Sequence, residues 1–218
     1  LVSSAALPRL QATHDVLPGV AVIADGVGDV AMRTPVRPDE VEITPVRMLE
    51  TGGTAELLAR ATLMPFYGVQ ATTWIHDDGT PDAARAEVVI VEGAEALREP
   101  EGGFSEDLAR AWFILTAQPV VSHVLVLPRE GSASLRQDVT AFLDSLRSEG
   151  VSRRREWRPQ LADTLGIGRD RASAYWTAQR LRLNGTDRQA LLDLLARGSS
   201  GTSRSYPLSV QFVDGTGS

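Results

Sequence analysis

The sequence predicts an α/β protein whose last third is a helical layer, and three observations carry that reading. First, short and very apolar runs recur at residues 19–24 (GVAVIA), 87–91 (EVVIV) and 120–127 (VVSHVLVL). Each is bounded by turn residues and too short for a packed helix, which is how buried strands read. Second, the segments between them space their apolar residues at three and four positions, the period of a helix. Third, from Ser134 to Arg197 no strand-like run occurs, and helical periodicity takes over. Strands alternating with helices and followed by helices alone argue for helices packed on sheets.

Taken in order, Leu1-Val2-Ser3-Ser4 reads as the end of a strand entering a short helix over residues 5–10. Residues 19–24 form a buried strand closed by Asp25-Gly26. The chain then stays extended through 27–32, and Pro35, Pro38 and Pro45 punctuate the next stretch. A strand is expected near 47–49. Thr51-Gly52-Gly53-Thr54 opens a helix over 55–64, on which Leu57, Leu58, Ala61 and Thr62 share a face. Residues 69–75 and 87–91 are strands, and 94–98 a helical turn. Ser105 is the expected N-cap of a helix reaching Ala117, stopped by Pro119.

Four helices come after the strand at 120–127. Leu135, Val139, Phe142, Leu143 and Leu146 form an apolar stripe on the first. Trp157, Leu161 and Leu165 mark the second, residues 169–183 the third, and a fourth is capped by Thr186 and runs to Gly198. Residues 206–213 are expected to add an edge strand.

Composition narrows the function. The 218 residues include no cysteine and no lysine, so disulfides, thiolate nucleophiles, Schiff bases and a P-loop lysine are excluded. Net charge is −6, which gives no overall attraction to nucleic acid or anionic lipid. The arginines at 153–155, 158, 169, 171, 180 and 182 read as solvated helix faces, with Trp157, Tyr175 and Trp176 turned inward. His14, His76 and His123 lie at no metal-ligand spacing, and His76-Asp77-Asp78 reads as a solvated turn. Asp25-Gly26-Val27-Gly28 lacks the third glycine and the ensuing helix of a dinucleotide loop. No cofactor or metal is therefore expected.

The candidate binding residues lie where strands end. Thr51, Gly53 and Thr54 come after a strand and open a helix, so backbone N–H groups and two hydroxyls could face one anion; an ordinary N-cap is the competing reading. Ser3 and Ser4 present the same geometry. Glu92 ends the strand at 87–91, where open α/β sheets place ligand groups. His123 interrupts an aliphatic strand, either as a half-buried histidine with a hydrogen-bond partner or as a contact where that strand enters a cleft.

Residues 107–129, DLARAWFILTAQPVVSHVLVLPR, carry an Asp-Leu pair, a tryptophan, a Thr-to-Pro turn and a long apolar strand ending in arginine. In Asp107, Leu108, Trp112, Thr116, Pro119 and Arg129 this stretch resembles the menaquinone-biosynthesis family that includes chorismate dehydratase and dihydroxynaphthoate synthase of the futalosine pathway. Residues 88–98 (VVIVEGAEALR) resemble the family's strand, turn and Ala-Leu-Arg helix. Residues 51–70, 2–10 and 17–26 resemble its Ser/Thr-rich loop, its Ser-Ser strand end and its Asp-Gly stretch. The resemblance implies a two-lobed fold of the periplasmic-binding-protein type 2 kind, with residues 1–33 and 120–218 in one lobe and 38–118 in the other. The N-terminal part of the first lobe is expected to be missing, and crossings are expected near 27–34 and 119–122.

It further implies a cytoplasmic protein that holds a small carboxylated ligand in the cleft, with no nucleic acid or membrane as partner; a homodimer is left open. The family's chemistry removes water from chorismate. This sequence departs from the pattern at Val30, where the family has a serine, at Gly52 and Gly53, where polar side chains are usual, and at Glu92-Gly93, which replaces Gly-Asp. Dehydration is therefore expected to be weak. The alternatives are a non-catalytic binder of small carboxylates and a helical interaction module over 134–197.

Overall fold

A computed structural model describes residues 1–76, 80–200 and 209–213. Its strands form two sheets. The first contains β1 (Val2–Ser3), β2 (His14–Ala24), β8 (Val120–Pro128) and β9 (Gln179–Arg180), in the order β1-β8-β2-β9 with antiparallel pairing throughout. The second contains β3 (Val30–Thr34), β4 (Ile43–Leu49), β5 (Gln70–Ile75), β6 (Val88–Glu92) and β7 (Phe104–Asp107), in the order β5-β4-β6-β3-β7. There β4 pairs in parallel with β5 and β6, whereas β3 runs antiparallel to β6 and β7.

The chain passes between the sheets twice, over 25–29 and over 117–119. The first passage lies earlier than the expected 27–34, because Asp25-Gly26 turns the chain at once, with Gly26 at φ +71°. Residue 33, expected to close the first lobe, thus falls inside β3, a strand of the second sheet. The second passage starts at Ala117, in the left-handed conformation at the end of α4 (Leu108–Thr116).

That first passage is clasped on both sides. The Asp25 N–H donates to the Ala178 carbonyl (2.9 Å), and Arg180 forms an ion pair with Asp25. Gln179 Nε2 donates to the Val27 carbonyl (3.2 Å), and Tyr175 Oη donates to Asp29 Oδ2 (3.2 Å). From the second sheet, Asp107 Oδ2 accepts from the Gly28 N–H (3.0 Å), and the Gly93 N–H donates to the Asp29 carbonyl (2.7 Å). Arg180 also pairs with Asp187, which is fully buried, so its guanidinium is held more firmly protonated than usual.

Several helix boundaries differ from expectation. The helix expected over 169–183 is α7 (Arg169–Ala178) and ends five residues early, since Gln179 and Arg180 pair with β2. The cap of α8 (Gly185–Gly198) is Asn184 rather than Thr186, in a reciprocal capping box with Asp187. Asp107, not Ser105, caps α4: its Oδ1 accepts from the amides of Ala109 and Arg110, and Ser105 lies in β7. The expected edge strand over 206–213 falls partly outside the described residues; within them it is a single parallel bridge between Val16 and Phe212.

The main core runs from the second sheet into the first. Met32, Val46, Val88 and Ile90 of the second sheet are continuous with Leu58, Trp112, Val120 and Leu194. Helix α2 (Gly53–Thr62) supplies Leu58 and packs on both α4 and α8. The apolar stripe of α5 (Ala133–Ser152) behaves otherwise: no residue of this helix is buried, and Phe142 is 62% exposed. The base of α5 is anchored by Arg136 on Asp15, which Arg129 also grips, and its far end meets α6. Among the described residues, no helix is long and apolar enough to cross a membrane.

Two substitutions test this packing. A Cβ added at Gly198 would sit 2.6 Å from the Leu57 carbonyl oxygen and 2.8 Å from its Cβ. Gly198→Ala gains at most about 1 kcal/mol of helix propensity but forces backbone apart, at a cost of about 1–3 kcal/mol. Denaturant unfolding should show a net loss; a stabilised variant would contradict the close contact of α2 with α8. Burial raises the affinity of Asp15 for its proton, but Arg129 and Arg136 outweigh it and hold the carboxyl below its ordinary value of 3.8. Such a group stabilises the fold above that value and stops doing so as pH falls through the lowered one. Asp15→Asn should therefore be less stable at neutral pH, and the gap should narrow on acidification in pH-resolved thermal melts.

Candidate functional site between the two sheets

Strand β1 pairs with β8 for two residues only, Val2 opposite Val124 and Ser3 opposite His123. Beyond that point side chains take over as donors to the carbonyls of β8. Ser4 Oγ donates to the Val121 carbonyl (2.7 Å), and Thr54 Oγ1 donates to the Ser122 carbonyl (3.0 Å). Thr54 is the second residue of α2, so a side chain of the second sheet's helix closes onto the first sheet's strand. Ser3 Oγ completes the link, 2.7 Å from Thr54 Oγ1.

The N-terminus of α2 has no side-chain cap, and Gly52 stands at the cap position. The first amides of a helix have no partner within it, so those of Gly53, Thr54 and Ala55 are its unsatisfied donors. Gly53 approaches Ala5 so closely that a Cβ on it would lie 2.8 Å from the alanine methyl. The Gly52 N–H is already taken: Glu92 Oε2 accepts it at 2.5 Å from the end of β6. Glu92 stands opposite Val30 in the β3–β6 ladder.

Of the residues singled out in the sequence, Ser3, Thr54, Glu92 and His123 are thus joined through direct bonds or adjacent residues. Ser3 meets Thr54, the loop meets Glu92, and His123 is the cross-strand neighbour of Ser3. Gly53 is exposed and Thr51 half-buried in the same loop. Ser4 is the exception. It is fully buried and its proton is spent on Val121, so it fastens the short helix after β1 to β8 and has no surface to offer a ligand.

Sequence reasoning missed Ser122. Its Oγ donates to the Val22 carbonyl (3.2 Å) and lies 3.2 Å from His123 Nδ1. A serine beside a histidine in an otherwise aliphatic strand was the available signal. Asp107 entered the sequence reading only in the Asp-Leu pair of the family resemblance, yet it binds the passage at Gly28 as well as capping α4. Its burial raises its carboxyl above the ordinary value, and the amides of Gly28, Arg110 and Ala109 and the charge of Arg171 oppose that rise.

Comparison with known proteins places this arrangement. The family model for menaquinone biosynthesis matches residues 1–200. The chain belongs to that family. No curated protein matches it in sequence. Among solved structures it is similar to protein AF1704 from Archaeoglobus fulgidus (15% identity, TM-score 0.50, covering 91% of this chain and 76% of that one). It is also similar to the periplasmic aliphatic sulphonate binding protein SsuA from Escherichia coli (14% identity, TM-score 0.58, covering 96% and 76%). This family member therefore has a periplasmic-binding-protein-like fold.

Thr54 is 3% exposed, so removing its hydroxyl without changing its volume tests the link between the sheets. Thr54→Val leaves the Ser122 carbonyl and the Ser3 hydroxyl without their partner, which costs about 1–3 kcal/mol. Chemical denaturation should register that loss, whereas Thr51→Val, with no such bond among the described residues, should stay within about 0.5 kcal/mol of the wild type.

Proposed function

We propose that this chain binds a small carboxylated ligand in the cleft between its two sheets, and that its chemistry is of the chorismate-dehydratase type, in weakened form. One observation carries the reading: the uncapped N-terminus of α2 meets β1 and β8 at Ser3 and Thr54, where the two sheets adjoin. Free amides at a helix start favour an anion through both hydrogen bonding and the helix dipole. Family membership makes a metabolite of menaquinone biosynthesis the ligand to try first, and chorismate carries the carboxylates such a site suits.

The chemistry is weakened for a local reason. Val30 stands where the family has a serine, and it is buried at the start of β3, opposite Glu92. Loss of one placed donor to a developing charge typically costs about 10²–10³ in rate. Binding is less affected, since backbone amides survive any side-chain replacement. Glu92 on the Gly52 amide, with Thr54 and Ala55 buried, narrows the anion's place to the exposed amide of Gly53.

Purified protein incubated with chorismate and followed by chromatography should show turnover close to background. Calorimetric titration of chorismate should nevertheless detect binding. Rapid turnover by the wild type would show that catalysis does not need a hydroxyl at position 30. Absence of binding would remove the carboxylate reading altogether.

A further inference from the structure

A cavity of about 430 Å³ opens at the free edge of the second sheet, far from the start of α2, and aromatic side chains line it: Phe66, Tyr67 and Phe104, with Glu106, Arg37 and Asp39. Directly opposite residues of an antiparallel pair share a face. Glu106, opposite Met32, and Phe104, opposite Thr34, therefore face the side of the sheet on which Met32 is buried in the main core. β7 is the last strand of its sheet, so the border of that core stays open there, with Phe104 41% and Phe66 37% exposed. Phe66 and Tyr67 come from a turn of π-helix, Leu63–Tyr67, directly after α2. It sets their rings edge to face, with centres 4.8 Å apart and planes at 78°. Such turns are rare and recur at functional sites.

The charges of the lining decide what it attracts. Arg37 is already spent, since its Nε and Nη2 donate to Asp39 Oδ1 (3.1 Å) and Oδ2 (3.3 Å). Glu106 has no ion pair, and Tyr67 Oη no hydrogen bond, among the described residues. One uncompensated carboxylate thus stands beside three aromatic rings. Burial, and then the charges of Glu106 and Asp107, push the Tyr67 hydroxyl above its ordinary value of 10.0, with Arg110 opposing them. We propose that this cavity binds a quaternary ammonium solute, its methyl groups against Phe66, Tyr67 and Phe104 and its charge answered by Glu106. Aromatic faces attract cations, and a fully methylated nitrogen brings no N–H that the rings would leave unpaired. The occupant is a free solute rather than a lipid headgroup, because Asp39 and Glu106 would repel the headgroup phosphate. The ten residues of α2, about 15 Å of helix, separate this cavity from Thr54, so it does not depend on the carboxylate reading.

The test compares choline with 3,3-dimethylbutan-1-ol, which has the same shape but a neutral carbon in place of the nitrogen. Both are titrated into the full chain by calorimetry. Choline should bind about tenfold more tightly, the difference that a desolvated cation on aromatic rings makes. Glu106→Gln should bring choline down toward the alcohol while leaving the alcohol within a factor of about two, and Phe104→Leu should narrow the ratio. Asp39→Asn, which releases the Arg37 guanidinium into the lining, should weaken choline as well. All three side chains are exposed or half-buried, so thermal melts should stay close to the wild type. Choline binding no tighter than the alcohol, or no binding of either, overturns the proposal. Choline binding that survives both Glu106→Gln and Phe104→Leu unchanged overturns it too, since the cation then sits elsewhere. Chorismate should leave choline affinity unchanged, and displacement of choline by chorismate would overturn the separate site. Retention of the protein on phosphatidylcholine vesicles would overturn the free solute.

Discussion

Where β1 stops after Ser3, the carbonyls of Val121 and Ser122 on β8 still need donors. A buried carbonyl left unpaired costs as much as a lost hydrogen bond, so the chain must supply hydroxyls there. It supplies Ser4 from the turn after β1 and Thr54 from a helix of the other sheet. The second choice shapes the molecule. A strand continued by backbone alone would have no need of α2; an edge completed by a threonine of α2 binds the two sheets at that point. The turn of Ser3 toward α2 depends on that substitution of a side chain for a strand, since its hydroxyl meets the same threonine.

Such a bond is only available if α2 comes very close to the first sheet, and two glycines permit it. Gly53 rests against the methyl of Ala5, and Gly198 of α8 rests against the backbone of Leu57. Side chains at either place would push α2 outward by a good part of an ångström, more than a hydrogen bond of 3.0 Å tolerates. The core confirms how tightly the layers meet, since Leu58 of α2, Leu194 of α8 and Val120 of β8 are all buried in one cluster. The polar link is thus held by apolar packing on either side of it.

Much of this was legible in the sequence, and the failures have causes. Apolar runs at 19–24, 87–91 and 120–127 gave the buried strands because burial on both faces leaves a continuous pattern. Residues 104–107 (FSED) gave no such signal: β7 is an edge strand, half exposed, and Asp107 serves both it and the helix after it. The helix over 169–183 was overextended because its periodicity does not change at Ala178. What ends it is pairing with β2, a contact remote in sequence. The stripe on α5 has helical spacing, and the helix is there, but spacing alone says nothing of whether a partner covers it. Ser3, Thr54, Glu92 and His123 were found because strand ends and helix starts are marked by turn chemistry. That Ser4 faces inward, and that Ser122 matters, depends on which β8 carbonyls β1 leaves open, and no local pattern records that.

The clasp around residues 25–29 bears on what the C-terminal helices are for. In a fold whose two sheets are joined by two short passages, any change in their relative orientation must be absorbed there. Here the first passage is bonded to α7 and β9 through Tyr175, Ala178, Gln179 and Arg180, and to the second sheet through Asp107 and Gly93. Arg180 carries the most, because it answers both Asp25 on the passage and buried Asp187 at the start of α8. Movement of the passage would pull on an ion pair whose other end lies in the core, where a separated charge is costly. Thr54 holds the sheets together at β8, and Arg180 restrains the chain that runs between them. The C-terminal layer is therefore part of the site's frame, although it acts through the passage rather than by bonding to the start of α2.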